Sequence, residues 1–286
     1  MEQDSSWKQF YARLEDMIVF AGRGRTPVSP FLTPAERRSA TDFLTRRGLS
    51  GRFFFWGGYP TAERVRLTIL PEYFPTPDPL PLPDPGALPA GFDPAFDPFD
   101  PDPAILVPEL PDADGGTVAL AVNGSGYRTL THRDYLGSLL ATGLERDSVG
   151  DIVPLSTCSA AVFCLPGPAA LLSGTDLRIG SDAVIVAPFV PPSGFAPTRS
   201  FAPVSDTVAS ARLDCAVAAL ANLSREEAQE RVRSGTVEVD FLPELRPDRL
   251  LTPPLILSIR TVGRFRLLSF TPTRKDRLRL AALKYV

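Results

Sequence analysis

Cysteine, histidine and lysine are scarce in this chain of 286 residues. The three cysteines are an odd number and form no C-x-x-C motif, which argues against a disulfide framework and against a cysteine-based zinc site. Because His132 is the only histidine, most metal sites and proton relays that depend on imidazole are excluded. We therefore expect a protein that needs no metal or other cofactor.

Long apolar runs are also missing. No run approaches the roughly 20 residues that a membrane-spanning helix needs, and the first ten residues, MEQDSSWKQF, lack the apolar core of a secretory signal. The sequence thus predicts a cytoplasmic protein without a membrane partner. Its length is typical of two or three domains, and its 44% hydrophobic content is ordinary for a chain that buries a core.

The formal net charge of −3 hides an uneven distribution. Between residues 74 and 116 the chain has nine acidic residues and no basic one, whereas residues 258–286 hold eight Lys and Arg against one Asp. Such a local excess of positive charge favours a polyanionic partner for the C-terminal part.

Residues 1–74 are predicted to form a helical region with a β-hairpin. In TPAERRSATDFLTRRG, Thr33 is a helix cap, Glu36 completes a capping box and Gly48 ends the helix. FFFW and RVRLTIL follow as strands, and Val65, Leu67 and Ile69 of the second alternate with polar residues.

Residues 75–115 are predicted to be an acidic, proline-rich linker or insertion. Eleven prolines lie between residues 75 and 103, where they deny backbone donors and hold the chain extended. The alternative is a docking site for a proline-binding partner.

Residues 116–190 contain strands and helices in the order β-α-β-β-α-β, which is typical of ferredoxin-like and RRM-like domains. RNA-reading RRM domains present aromatic side chains on their central strands. Here the two central strands offer only Phe163, so base stacking on this sheet is not expected. Five prolines between residues 188 and 203 predict a second linker over residues 191–204.

Residues 205–286 are predicted to form two short helices followed by strands. Long hydrogen-bond donors recur every four residues on the second helix, at Arg225, Gln229 and Arg233, so they share one helix face. Guanidinium groups on such a face suit phosphate oxygens. Arg264 and Arg266 share one face of a later strand and extend the same basic patch. The alternative is a solvated helix whose arginines pair with Glu226, Glu227 and Glu230.

This stretch resembles the S4-type RNA-binding domain through Arg212-Leu213-Asp214, Ser224-Arg225, Ala228-Gln229, Gly235 and Val237-x-Val239. With this resemblance, the candidate RNA-binding residues are Arg212, Ser224, Arg225, Gln229, Arg233, Arg264 and Arg266. Together with PFLTPAE, GGYPTAERVRL, LPEY, LTHRDYLGSLLATGLERDSVGDIV and VGRFRLL, this stretch makes the chain similar to the YlmH family of bacterial S4-domain proteins. The chain departs from that family at two turns, where Asp240-Phe241 replaces Asn-Gly and Pro253-Pro254 replaces Gly-Asp.

The resemblance implies an α+β protein with an N-terminal helical and hairpin region, an RRM-like domain and a C-terminal S4-type domain. It also implies a monomer without enzymatic activity that binds rRNA and tRNA on the large ribosomal subunit, in ribosome-associated quality control of stalled nascent chains. An alternative function is a protein-interaction adaptor linked to cell division, which would use the proline-rich segment and the central sheet. An RNA-modifying enzyme is a third alternative.

Other enzyme classes find little support. His132-Arg133-Asp134 matches a kinase fragment, but Leu139 stands where the kinase loop needs Asn, and no Asp-Phe-Gly follows. Thr131 and Asp134 are better explained as the cap of a helix. No catalytic or metal-binding residue is assigned.

Overall fold

The computed structural model describes residues 2–59, 61–74, 116–192, 195, 197, 201–274 and 276–286 as a mixed α+β fold. The chain forms two compact units, Met1–Pro197 and Thr198–Val286, called the N-terminal and C-terminal units below. The helices are α1 (Glu2–Gly22), α2 (Pro34–Arg46), α3 (His132–Ala141), α4 (Pro166–Ser173), α5 (Leu213–Ala221) and α6 (Arg225–Arg233). The strands are β1 (Val28–Leu32), β2 (Phe53–Trp56), β3 (Val65–Ile69), β4 (Val118–Asn123), β5 (Val149–Pro154), β6 (Ser159–Cys164), β7 (Arg178–Ile179), β8 (Asp182–Ala183), β9 (Ile185–Pro188), β10 (Phe201–Val208), β11 (Val237–Val239), β12 (Leu242–Pro243), β13 (Leu255–Ile259), β14 (Gly263–Pro272) and β15 (Leu278–Tyr285).

The N-terminal unit begins with two helices that pack on an antiparallel sheet of strand order β1-β3-β2. The capping box predicted for α2 is present: the Thr33 hydroxyl accepts from the Glu36 amide, and the Glu36 carboxylate accepts from the Thr33 amide at 2.7 Å. Buried and exposed side chains do not alternate along β3 as its sequence pattern predicts. All five residues of this central strand are buried, and Arg66 donates its Nε–H to the Ser29 carbonyl at 2.9 Å.

A second sheet in the same unit has the strand order β5-β6-β4-β9, with every pairing antiparallel. Helices α3 and α4 contribute to the core on one face of this sheet. On the other face, Phe163 is fully buried, with its ring centroid 4.9 Å from that of Tyr59. The one aromatic side chain of the two central strands is therefore not presented to solvent.

Polar contacts join the hairpin region to this second sheet. The Asp151 carboxylate accepts from the Tyr59 hydroxyl at 2.6 Å and from the Glu63 and Arg64 amides, and burial raises its pKa. The buried Arg64 guanidinium donates to the carbonyls of Val149, Phe31 and Arg146, and burial lowers its pKa to about 10. Residues 1–74 and the segment after residue 115 thus share one compact unit.

The C-terminal unit is a sheet of strand order β10-β15-β14-β13-β11-β12 with α5 and α6 packed on one face. Strand β10 begins at Phe201 and pairs with β15 over its full length, so the sheet starts inside the segment predicted as the linker 191–204. The turn between β11 and β12 contains Asp240 (φ 51°) and Phe241 (φ 68°). Both are in the left-handed region that a two-residue hairpin turn of this kind requires, so the turn forms without the Asn-Gly of the YlmH family.

The proline-rich segment predicted as a linker or docking site, residues 75–115, lies outside the described residues. Within the described ranges, no helix is long and apolar enough to cross a membrane. The same part of the chain contains no group of three or more His, Cys, Asp or Glu side chains arranged to hold a metal ion.

Candidate nucleic-acid interface

Most of the candidate RNA-binding residues lie on α6 or at the N-caps of α5 and α6. Helix α5 ends at Ala221, the left-handed conformation of Asn222 (φ 52°) turns the chain, and Ser224 then caps α6. The Ser224 hydroxyl accepts from the Glu227 amide at 3.2 Å, and the Glu227 carboxylate accepts from the Ser224 amide at 2.8 Å. Ala228 and Val232 are buried beneath α6. The capping box and the apolar stripe therefore fix which face of α6 is turned outward.

A buried carboxylate connects the candidate donors. Asp214, in the first turn of α5, has no exposed surface. Its Oδ1 accepts from the Arg212 Nε–H at 3.0 Å and from the Cys215 amide at 2.9 Å. Its Oδ2 accepts from Arg212 Nη2 at 3.0 Å, Arg225 Nε at 3.2 Å and Gln229 Nε2 at 2.9 Å. We call Asp214 with Arg212, Arg225 and Gln229 the Asp214 cluster.

The electrostatics of this cluster keep Asp214 ionised. Burial by itself would raise the pKa of the Asp214 carboxyl, but hydrogen bonds from Arg212, Gln229 and Arg225 outweigh it and hold that pKa well below its usual range. The hydrogen bond to Asp214 likewise raises the pKa of Arg212. One negative charge faces two positive charges, so the Asp214 cluster carries a net charge of +1.

The two guanidinium groups retain donors for a further ligand. A guanidinium has five N–H groups; in the described part of the chain Arg212 uses two on Asp214 and Arg225 uses one. The Arg212 side chain is 32% exposed and that of Arg225 is 56% exposed. Asp214 therefore fixes their orientation from below, while the outer N–H groups remain accessible to phosphate oxygens.

Of the other candidates on α6, Arg233 extends the cluster and Ser224 is used by the cap. Arg233 is exposed and donates its Nη2–H to Gln229 Oε1 at 3.4 Å, so it lies next to the amide that contacts Asp214. Helix α6 carries another arginine, Arg231, which sequence reasoning did not select. It donates to the Arg260 carbonyl and the Thr261 hydroxyl of the turn between β13 and β14.

The two candidates on β14 differ in exposure. The Arg264 guanidinium lies 5.2 Å from the ring centroid of Phe241 and 5.7 Å from that of Tyr285, a geometry for cation–π contact. Arg266 is only 4% exposed, so its side chain lies beneath the surface and we leave it out of the proposed contact surface. Contact between Arg264 and RNA stays a prediction.

Sequence reasoning undervalued Asp214. From the sequence, Asp214 is only part of the Arg212-Leu213-Asp214 motif and has no assigned role toward Arg225 or Gln229. The signal that points to its wider role is the spacing itself: an acidic residue in an Arg-Leu-Asp motif, followed eleven and fifteen residues later by Arg225 and Gln229.

Comparisons with known proteins add to this geometry. A family model described as "Putative RNA-binding domain in YlmH" matches residues 120–163, from β4 through β6. The "Ribosome-associated protein quality control protein P2" of Bacillus subtilis (strain 168) is 27% identical over 260 residues, which are 90% of this chain and 86% of that protein. The solved structure of "Cell division protein ylmH from Streptococcus pneumoniae" has a TM-score of 0.43 and 15% identity, and the match covers 64% of this chain and 90% of that one. The family model and the relative from Bacillus subtilis confirm the resemblance to the YlmH family that the sequence motifs predict.

Proposed function

We propose that this chain is a non-enzymatic RNA-binding protein whose C-terminal unit, folded as an S4-type domain, docks on structured RNA through the Asp214 cluster. The observation that carries the proposal is the pair of guanidinium groups, Arg212 and Arg225, that one fully buried carboxylate holds in place. Pre-ordered guanidinium groups lose less side-chain entropy when they bind phosphate than freely rotating ones do. Phosphate contacts of this kind position a protein on RNA, whose shape then supplies selectivity.

We further propose that the RNA is ribosomal. The relative from Bacillus subtilis is named for ribosome-associated protein quality control, and similarity to it extends over most of this chain. In this proposal the protein acts in the cytoplasm as a monomer, contacts rRNA and tRNA on the large subunit, and supports the handling of stalled nascent chains.

The N-terminal unit has a proposed part in the same function. The stretch that matches the RNA-binding family model lies in the β5-β6-β4-β9 sheet, which we propose is an RRM-like domain. Because Phe163 is buried, any RNA contact by this domain would use its loops or its other surfaces, not bases stacked on the sheet.

Co-sedimentation with ribosomal subunits in a sucrose gradient tests the proposal. The protein should travel with the large subunit and should return to the top of the gradient after nuclease treatment. Partners that persist after the RNA has been destroyed would instead support the protein-interaction adaptor. A protein that never leaves the top of the gradient, at low salt and with subunits in excess, would contradict the ribosomal proposal.

A further inference from the structure

The C-terminal unit contains a second largely buried carboxylate that holds two arginines. Glu244 follows β12 directly, and its side chain is 11% exposed. Its Oε2 accepts from Arg249 Nη1 at 2.6 Å, and its Oε1 accepts from the amides of Leu245 and Arg246 at 3.1 and 3.0 Å and from Arg246 Nε at 3.4 Å. None of the sequence motifs includes these residues. We call Glu244 with Arg246 and Arg249 the Glu244 cluster.

Backbone hydrogen bonds fasten this loop to the start of α5. The Leu213 amide donates to the Arg249 carbonyl at 2.9 Å, and the Asp214 amide donates to the Pro247 carbonyl at 2.9 Å. Leu250 pairs with Arg212 in an isolated β-bridge. The loop that contains Arg246 and Arg249 is therefore bonded through its backbone to the start of α5, so the chain segments of the two clusters are adjacent.

The two clusters share a design in which the acidic group lies below the surface and the basic groups lie above it. The Arg246 side chain is 74% exposed and that of Arg249 is 35% exposed, while their common carboxylate is almost covered. Arg246 uses only its Nε–H and Arg249 only one Nη1–H among the described contacts, so most of their donors remain available. Asp248 is exposed in the same loop and carries a charge of opposite sign.

We propose that Arg246 and Arg249 form a second phosphate-binding subsite, which contacts the backbone of the same RNA that the Asp214 cluster binds. The inference rests on the proposed function, because continuity with the Asp214 cluster is what selects RNA phosphate over other anions. Arg246 and Arg249 supply the contacts, Glu244 orients them, and Asp248 weakens the attraction.

The experiment measures the affinity of the full chain for rRNA purified from large subunits over a series of salt concentrations. Each phosphate contact that is lost should reduce the slope of log K against log salt by about 0.7 to 0.9. Arg246→Ala with Arg249→Ala should therefore bind on the order of tenfold more weakly at about 0.1 M salt. The magnitude of its slope should be smaller by the amount expected for one to two phosphate contacts. Asp248→Asn should bind more tightly than the wild type.

Control variants distinguish a failure of the second subsite from a failure of the proposed function and from misfolding. Arg246→Ala alone should fold normally because this side chain is mostly exposed. The magnitude of its slope against salt should still fall by the amount expected for one phosphate contact. Arg23→Ala with Arg46→Ala removes the same charge from exposed positions of the N-terminal unit and should bind nearly as the wild type does. Wild-type affinity and slope in Arg246→Ala with Arg249→Ala would overturn the second subsite if Arg212→Ala with Arg225→Ala still weakens binding. Wild-type binding by both double variants would overturn the proposed function as well.

Discussion

Arg225, the first residue of α6, donates its Nε–H to Oδ2 of Asp214, a fully buried carboxylate in the first turn of α5, at 3.2 Å. This bond joins the two helices and fixes the direction of an exposed guanidinium. A carboxylate that neutralised every guanidinium on this surface would leave little attraction for a polyanion. Here a single Asp214 is shared between two arginines, so the positive charge is oriented without being cancelled.

Asp214→Asn should lower the free energy of unfolding by about 1 to 3 kcal/mol at neutral pH, the range expected when a buried, charged hydrogen-bond partner is lost. The side-chain amide has a similar shape but no charge, and its NH₂ group faces the donors of Arg225 and Gln229. Urea unfolding followed by circular dichroism measures the difference. Asp248→Asn, at an exposed position of the neighbouring loop, is the matched control and should change stability by less than about 0.5 kcal/mol.

The wild type and Asp214→Asn also show how the stabilisation by Asp214 depends on pH. Because the folded pKa of Asp214 lies below its unfolded value of 3.8, its stabilising contribution is present above about pH 4 and is lost as the pH falls toward the folded pKa. The difference in stability between the wild type and Asp214→Asn should be constant near neutrality and should shrink below about pH 4. A difference that is the same at pH 3 and pH 7 would show that ionised Asp214 does not supply the stabilisation.

Arg212→Lys with Arg225→Lys separates charge from geometry. Lysine keeps the positive charge, but it cannot reproduce the planar fork that contacts Asp214 and phosphate together. We expect binding to large subunits to weaken several-fold while the slope against salt stays close to that of the wild type. If the lysine variant binds as tightly as the wild type, charge alone is sufficient and the orientation by Asp214 has no functional role.

Gly58→Ala tests the packing of the N-terminal unit. Gly58 has a φ of +103°, and a Cβ built on it would lie 2.4 Å from Cδ1 of the buried Phe163. Backbone strain and overpacking should together cost about 1 to 3 kcal/mol or more, seen as a lower melting temperature. Gly167→Ala is the control, since Gly167 lies in α4 with open space around its Cβ, and it should not lower the melting temperature.

Deletion of residues 76–103 should leave the affinity for RNA within about twofold of the wild-type value. The segment contains acidic residues and no basic ones, so it has no cation to offer to phosphate. Binding of both proteins to large subunits at one salt concentration is the measurement. A large loss of affinity would show that the segment takes part in binding.

The sequence is most informative where structure depends on nearby residues. The helix caps at Thr33 and Thr131 are local hydrogen-bond patterns, and both are present as predicted. Burial of Arg266 could not be predicted, because alternation along β14 says which residues share a face but not whether another segment covers that face. The Glu244 cluster was missed for a similar reason: its importance depends on a loop being bonded to α5, more than thirty residues earlier in the chain.

The role of the Asp214 cluster in RNA binding is tested by the affinity of Arg212→Ala with Arg225→Ala for large ribosomal subunits, compared with the wild type at matched salt. We expect the double variant to bind more weakly by on the order of tenfold or more, with a smaller slope against salt, while Arg23→Ala with Arg46→Ala binds normally. Circular dichroism should show that the double variant remains folded. Wild-type affinity in the folded double variant would contradict the claim that the Asp214 cluster is the RNA-contact surface.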